Sequence, residues 1–103
     1  MNAFPAYANH HGWSDVTPFE IVRVVSENCI EVRKMDAELA EGEKPEFLVG
    51  GFAGHCTNQH SLKYDIKSNP ANRVIRIRKS KNGWGKGAFR LSDKPIRFYD
   101  YNF

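Results

Sequence analysis

The residue types best suited to chemistry lie between Arg73 and Arg90. Arg76 and Arg78 alternate with Ile75 and Ile77, and Lys79 leads into a loop, SKNGWGKG (residues 80–87), that adds Lys81, Trp84 and Lys86. Cations on the outer face of a strand contact phosphates, and an aromatic ring stacks a base. Arg76, Arg78, Lys79, Lys81, Trp84 and Lys86 therefore form a candidate nucleic-acid-binding surface. A plainer alternative stands beside it. Charges on the wet face of a strand are ordinary, and Trp84 would then plug the end of a barrel.

Three other groupings compete with it. His55, Cys56 and His60 lie close together, with His10, His11 and Cys29 elsewhere. Zinc takes such ligands, but paired spacing of the CxxC kind is absent, and adjacent His55 and Cys56 would face opposite sides of a strand. No metal is expected, and Cys29 is expected as a small core residue. Cys56 as a nucleophile would need His55 or His60 within hydrogen-bond reach, and Asp15, Asp65 or Asp100 to orient that base. Adjacency alone does not supply this geometry, and no nucleophile signature surrounds Cys56. GGFAG and GWGKG lack the spacing and following helix of a phosphate loop. The expectation is a protein that is not an enzyme and carries no cofactor. Finally, the C-terminal run IRFYDYNF places Tyr99, Tyr101 and Phe103 on one face. It reads as a closing strand packed on the core, or as an aromatic interface for a protein partner or a homodimer.

Charge layout bears on the choice of partner. The net charge is only +3, but residues 1–50 carry nine acids against four bases, and residues 73–97 carry nine bases against Asp93 alone. Such polarity steers an anionic partner to one face, or lets the two halves attract each other across the fold. An acidic surface including Glu27, Glu31, Glu38, Glu41 and Glu43 offers a further route, mimicry of nucleic-acid charge toward a protein partner. The opening MNAFPAYANHHGW has no basic segment and no long apolar run, so no signal peptide is expected. No apolar stretch is long enough to cross a bilayer. The expected setting is cytoplasmic, without membrane partners and with both thiols reduced.

These side chains need strands to hold them. With 103 residues, the chain suits one compact domain, residues 1–103. Residues 1–16 read as an irregular N-terminal arm, fixed to the core by Trp13, and Asp15 is expected to turn the chain before a hairpin. That hairpin is TPFEIVRVVSENCIEVRKM (residues 17–35), two β-branched runs flanking Ser26-Glu27-Asn28. Phe19, Ile21 and Val25 on one face, and Val22 and Val24 on the other, predict a central strand covered on both sides. Asp36–Ala40 reads as a helical turn, and the glycines of GGFAGH (residues 50–55) as a bend or bulge. Ser61–Lys67 and Arg73–Lys79 alternate cleanly around the turn Ser68-Asn69-Pro70-Ala71-Asn72 and predict a second hairpin. Ala88–Ser92 and Pro95–Tyr101 read as the last strands. The sum is an all-β fold of five or more strands with little helix, a small antiparallel barrel or curled sheet of the SH3-like or OB-like kind.

GWSD near the start, the V-x-x-V strand leading into IEVRKMD, GGFAGH with NQH, the basic strand with its Gly-Trp loop, and the terminal FYDYNF together resemble a family of small proteins encoded by phages and prophages. The resemblance runs from about Gly12 to Phe103. That family carries no assigned activity and no catalytic residues to transfer. It implies a mobile-element setting in host cytoplasm and an accessory role exercised by binding. Two functions fit: nucleic-acid binding through the basic strand and Gly-Trp loop, or binding of a host protein as a host-takeover or anti-defence inhibitor through the acidic or aromatic surface.

Overall fold

The computed structural model describes residues 4–47 and 56–101. Eight strands account for its regular structure: β1 Tyr7–His11, β2 Val16–Ser26, β3 Cys29–Lys34, β4 Asp36–Leu39, β5 Tyr64–Lys67, β6 Val74–Ser80, β7 Gly83–Trp84 and β8 Phe89–Ser92. Six of them close an antiparallel barrel in the order β1-β2-β3-β6-β7-β8, and β8 returns to β1 through Tyr7↔Ser92 to His10↔Phe89. β4 and β5 form a separate two-stranded ribbon. The described residues contain no helix, so none is long and apolar enough to cross a membrane. The fold is all-β, as the alternation of apolar and charged residues implies.

The β2–β3 hairpin forms as expected. Glu27 and Asn28 make the two-residue turn between Ser26 and Cys29, and the Asn28 N–H donates to Ser26 Oγ at 3.3 Å. Its far half is not covered twice. The β2–β3 register shifts at two bulges, between Ile21 and Arg23 and again between Val24 and Ser26. β1 flanks β2 only from Val16 to Glu20. Val22, Val24 and Val25 are consequently exposed. Bulges twist a strand edge and blunt it as a template for further pairing.

Inside the barrel, Ala8, Ile30, Val32, Ile77, Trp84 and Phe89 are buried, with Phe4, Phe19, Ile21, Ile75 and Leu91 packed on them. Phe19 meets Phe89 edge-on at 5.1 Å, and Phe4 meets Trp84 edge-on at 6.0 Å. Each fully buried Ile or Val contributes about 1.5–3 kcal/mol relative to exposure. Cys29 is buried, as expected of a small core residue.

Four local readings change. The segment expected as an irregular N-terminal arm contains a barrel strand, Tyr7–His11, paired on both edges. Asp36–Leu39 is a strand rather than a helical turn: Ala37 and Leu39 are half-buried, Asp36 and Glu38 are exposed, and all four pair with β5. β5 and β6 do not pair with each other. They continue side by side with β4 and β3, across a break at Met35 and residues 68–73. At this break Asn72 Nδ2 donates to Lys34 O at 2.9 Å and Asp36 Oδ1 at 3.0 Å, Asn69 Nδ2 donates to Asp36 Oδ2 at 2.8 Å, and the Met35 N–H donates to Pro18 O at 3.0 Å. Among the described residues, Pro95–Tyr101 is a strap with a single strand-type bridge, Val16 with Phe98. The segment is tied down by Asn9, 1% exposed, which donates to Lys94 O at 3.0 Å and accepts from the Ile96 N–H at 2.9 Å.

Candidate nucleic-acid interface

β6 turns Ile75 and Ile77 toward the core and carries Val74, Arg76, Arg78 and Ser80 on its outer face. Arg76 is not a free cation. It lies opposite Glu31 across the β3–β6 ladder, and its Nη2 reaches Glu31 Oε2 at 2.9 Å. Arg23, opposite Glu31 on the other side, comes within 3.8 Å of the second carboxylate oxygen. A neighbouring pair, Arg33 with Glu20, is closer (2.8 Å) and less exposed. Burial pushes the Glu20 carboxyl up, but hydrogen bonds from Ser68 and Arg33, with the Arg33 charge, outweigh it and hold the carboxyl below its ordinary value. Part of the charge segregation in the sequence is thus spent inside the barrel wall.

The remaining cations are not spent in this way. A shallow groove of about 410 Å³ runs between β6 and the β7–β8 turn, lined by Arg76, Ile77, Arg78, Ser80, Gly85 and Lys86. No acid lines it. Arg78, Lys79, Lys81 and Lys86 are all exposed. The turn that forms one wall has an unusual backbone. Gly85, Lys86 and Gly87 all have positive φ, at 55°, 60° and 87°. A Cβ on Gly85 would sit 2.7 Å from the Phe89 ring, and one on Gly87 would sit 2.8 Å from the Asn82 carbonyl oxygen. Only glycine fits there, and Lys86 between them takes a conformation that costs an L-residue about 1–2 kcal/mol. Strain of this kind gathers at ligand-binding positions.

Trp84, expected as the stacking ring, is only 8% exposed and belongs to the core. Its pairing with both Lys79 and Phe89 turns the indole into the barrel, which is the plug reading. Trp13 shows the reverse. Expected as an anchor, it is 90% exposed on the β1–β2 turn. The Gly12 N–H donates to Asp15 O at 2.9 Å and closes that turn. Asp15 does turn the chain, and its carboxylate also accepts the Asp100 N–H at 2.9 Å. The turn lies near the groove, since the His11 N–H donates to Ala88 O at 2.7 Å. Burial, then the charges of Arg90 and His10, push the His11 imidazole below its ordinary value. Hydrophobicity alone ranks the two tryptophans wrongly. The signal that separates them is the Gly12–Asp15 turn composition around Trp13 against the strand pairing of Trp84.

Of the aromatic C-terminal trio, Tyr99 is exposed and Tyr101 half-buried, with rings edge-on at 4.7 Å. Tyr101 also meets Phe47 at 6.1 Å, and Arg97 lies 5.6 Å over Tyr99. Phe103 lies outside the described residues, as do His55 and the GGFAGH glycines. Cys56 is buried with its Sγ 3.5 Å from Asn58 Oδ1, and His60 stacks on Phe98 at 5.0 Å. Among the described residues, no three His, Cys, Asp or Glu side chains gather to hold a metal ion. The acidic set is divided too: Glu31 is held between arginines, and Glu43 accepts the Lys63 N–H at 2.7 Å. A second hollow, about 330 Å³ at the junction of barrel and ribbon, mixes Lys34 and Arg97 with Asp36 and Glu38 and so favours neither sign of ligand. Comparison of the chain with family models, curated proteins and solved structures finds no match.

Proposed function

We propose that the protein acts by binding rather than by catalysis, and that its ligand is the phosphate backbone of nucleic acid. The observation that carries this reading is the groove between β6 and the Gly85–Gly87 turn. Arg78 stands on one wall and Lys86 on the other, Lys79 and Lys81 are exposed and follow Arg78 in the chain, and among the described residues no acid lines the groove. Arg76 plays a lesser part because Glu31 already holds it, and Trp84 plays none because it is buried. In keeping with the family resemblance, the setting is host cytoplasm and the role that of a phage-type accessory protein.

A second reading has its own observation. Tyr99, 42% exposed beside Arg97, has the composition of an interface anchor. It fits docking to a host protein or to a second copy of this chain.

Fluorescence anisotropy with short labelled DNA and RNA, at low and physiological salt, separates the two. Backbone binding weakens linearly in log affinity against log salt. The doubly reversed Arg78→Glu, Lys86→Glu variant should lose it. If that variant binds as tightly as the parent, the groove assignment is wrong. If neither binds at low salt, the protein-docking reading takes its place.

A further inference from the structure

We propose that Trp13 is the base-stacking residue of this surface, which makes the ligand single-stranded nucleic acid. The inference rests on the groove reading above and adds the feature that selects among nucleic acids.

Trp13 is 90% exposed, the highest value among the large apolar side chains of the described residues. An indole left in water forfeits a large burial gain. Yet its backbone is firmly held. The Gly12 N–H closes the turn on Asp15 O, the Val16 and Phe98 backbones exchange hydrogen bonds at 2.9 and 3.0 Å, and Asp15 Oδ1 accepts the Asp100 N–H. A ring carried on a fixed backbone costs little further ordering when a ligand stacks on it.

The turn is also tied to the cation-bearing turn by one backbone hydrogen bond. His11 bonds Ala88, which is two residues from Lys86, while Trp13 is two residues from His11. Chain reach alone keeps the Cα atoms of Trp13 and Lys86 within about 20 Å. Arg90, opposite Asn9 on the β1–β8 ladder, lies near enough to His11 to depress its protonation. The two nearby acids face inward contacts: Asp15 takes the Asp100 N–H, and Asp100 Oδ1 takes the Gln59 amide at 3.2 Å. A strand whose phosphates run along Arg78, Lys86 and Arg90 thus brings a base to Trp13. In a duplex the base faces are already stacked, so only an unpaired base offers one to the indole.

The experiment pairs tryptophan fluorescence with anisotropy on the full chain. The probes are an oligothymidylate of about 10 nucleotides, an abasic strand of equal length, and a blunt duplex. Trp13 stacking quenches the exposed indole when the thymidylate binds, and Trp13→Phe abolishes that quench. Trp13→Ala should weaken thymidylate binding on the order of 10–100-fold, with Trp13→Phe close to the parent. The abasic strand and the duplex should not distinguish Trp13→Ala from the parent. If Trp13→Ala binds thymidylate as the parent does, without a quench lost in Trp13→Phe, the stacking assignment is overturned. The groove reading then stands or falls separately on Arg78→Glu, Lys86→Glu. If the parent binds no probe at low salt, both readings fail together.

Discussion

Arg76 and Glu31 lie directly opposite each other on β6 and β3, joined by Nη2 to Oε2 at 2.9 Å and Nε to the same oxygen at 3.3 Å. The pair ranks the arginines of the basic strand. A guanidinium that shares its donors with a carboxylate offers fewer of them to a phosphate. Arg76→Ala should therefore reduce nucleic-acid affinity less than Arg78→Ala. Anisotropy titrations of the two variants at one low salt concentration check this order, and the reverse order would show that Arg76 leaves Glu31 to bind.

Lys86 should show a trade between stability and binding. Lys86→Gly removes the left-handed penalty, partly offset by the greater freedom of the unfolded chain. A gain of up to about 1 kcal/mol results. The same change removes a groove cation, so the log–log salt slope should shrink by about one unit or slightly less. Urea melts and salt titrations on the same protein read both effects.

Gly87→Ala should act in the opposite direction on stability. Its Cβ would lie 2.8 Å from a backbone oxygen, at a φ of 87° that L-residues rarely adopt. The cost should reach about 1–2 kcal/mol or more, visible in a denaturant midpoint. Gly42, also at positive φ but with nothing within 4 Å, should lose less on the same substitution.

Asn9 fastens the C-terminal strap from inside the wall. Asn9→Ala leaves the Ile96 N–H and the Lys94 carbonyl without their partner, a loss of about 1–3 kcal/mol. Thermal melting should record the drop, and hydrogen exchange should rise first at Ile96.

Acid should destabilise the fold in two limbs. The folded state depresses His11 below its ordinary 6.5, so it binds fewer protons there than the unfolded chain, and stability declines as pH falls below that value. Glu20 is depressed below its ordinary 4.5, so its contribution is present above that value and is lost as pH falls through its folded pKa. Urea melts across this range should lose the upper limb in His11→Gln and the lower limb in Glu20→Gln.

The barrel is legible in the sequence where pairing is local. Val16–Ser26 and Cys29–Lys34 are β-branched runs around a two-residue turn, so composition and register agree. It is illegible where the partner is remote. Asp36–Leu39 has helix-favouring Ala, Glu and Leu, and becomes a strand only because Tyr64–Lys67 lies opposite. Pro95–Tyr101 alternates like a strand, yet Asn9 and the Val16 bridge hold it as a strap. At the site, Arg76 and Arg78 are legible from strand alternation, while the burial of the two tryptophans is the reverse of that expected. Apolarity says how much an indole gains from burial, and only the geometry of the turn says whether burial is possible.

The most direct test is a map of backbone amide shifts in the labelled protein as a short single-stranded oligonucleotide is added. Binding in the groove predicts shifts concentrated at Arg78–Lys81, Gly85–Ala88 and Trp13, with β4 and β5 unmoved. Shifts confined to the β4–β5 ribbon or to Tyr99–Tyr101, or none at saturating ligand, would contradict it.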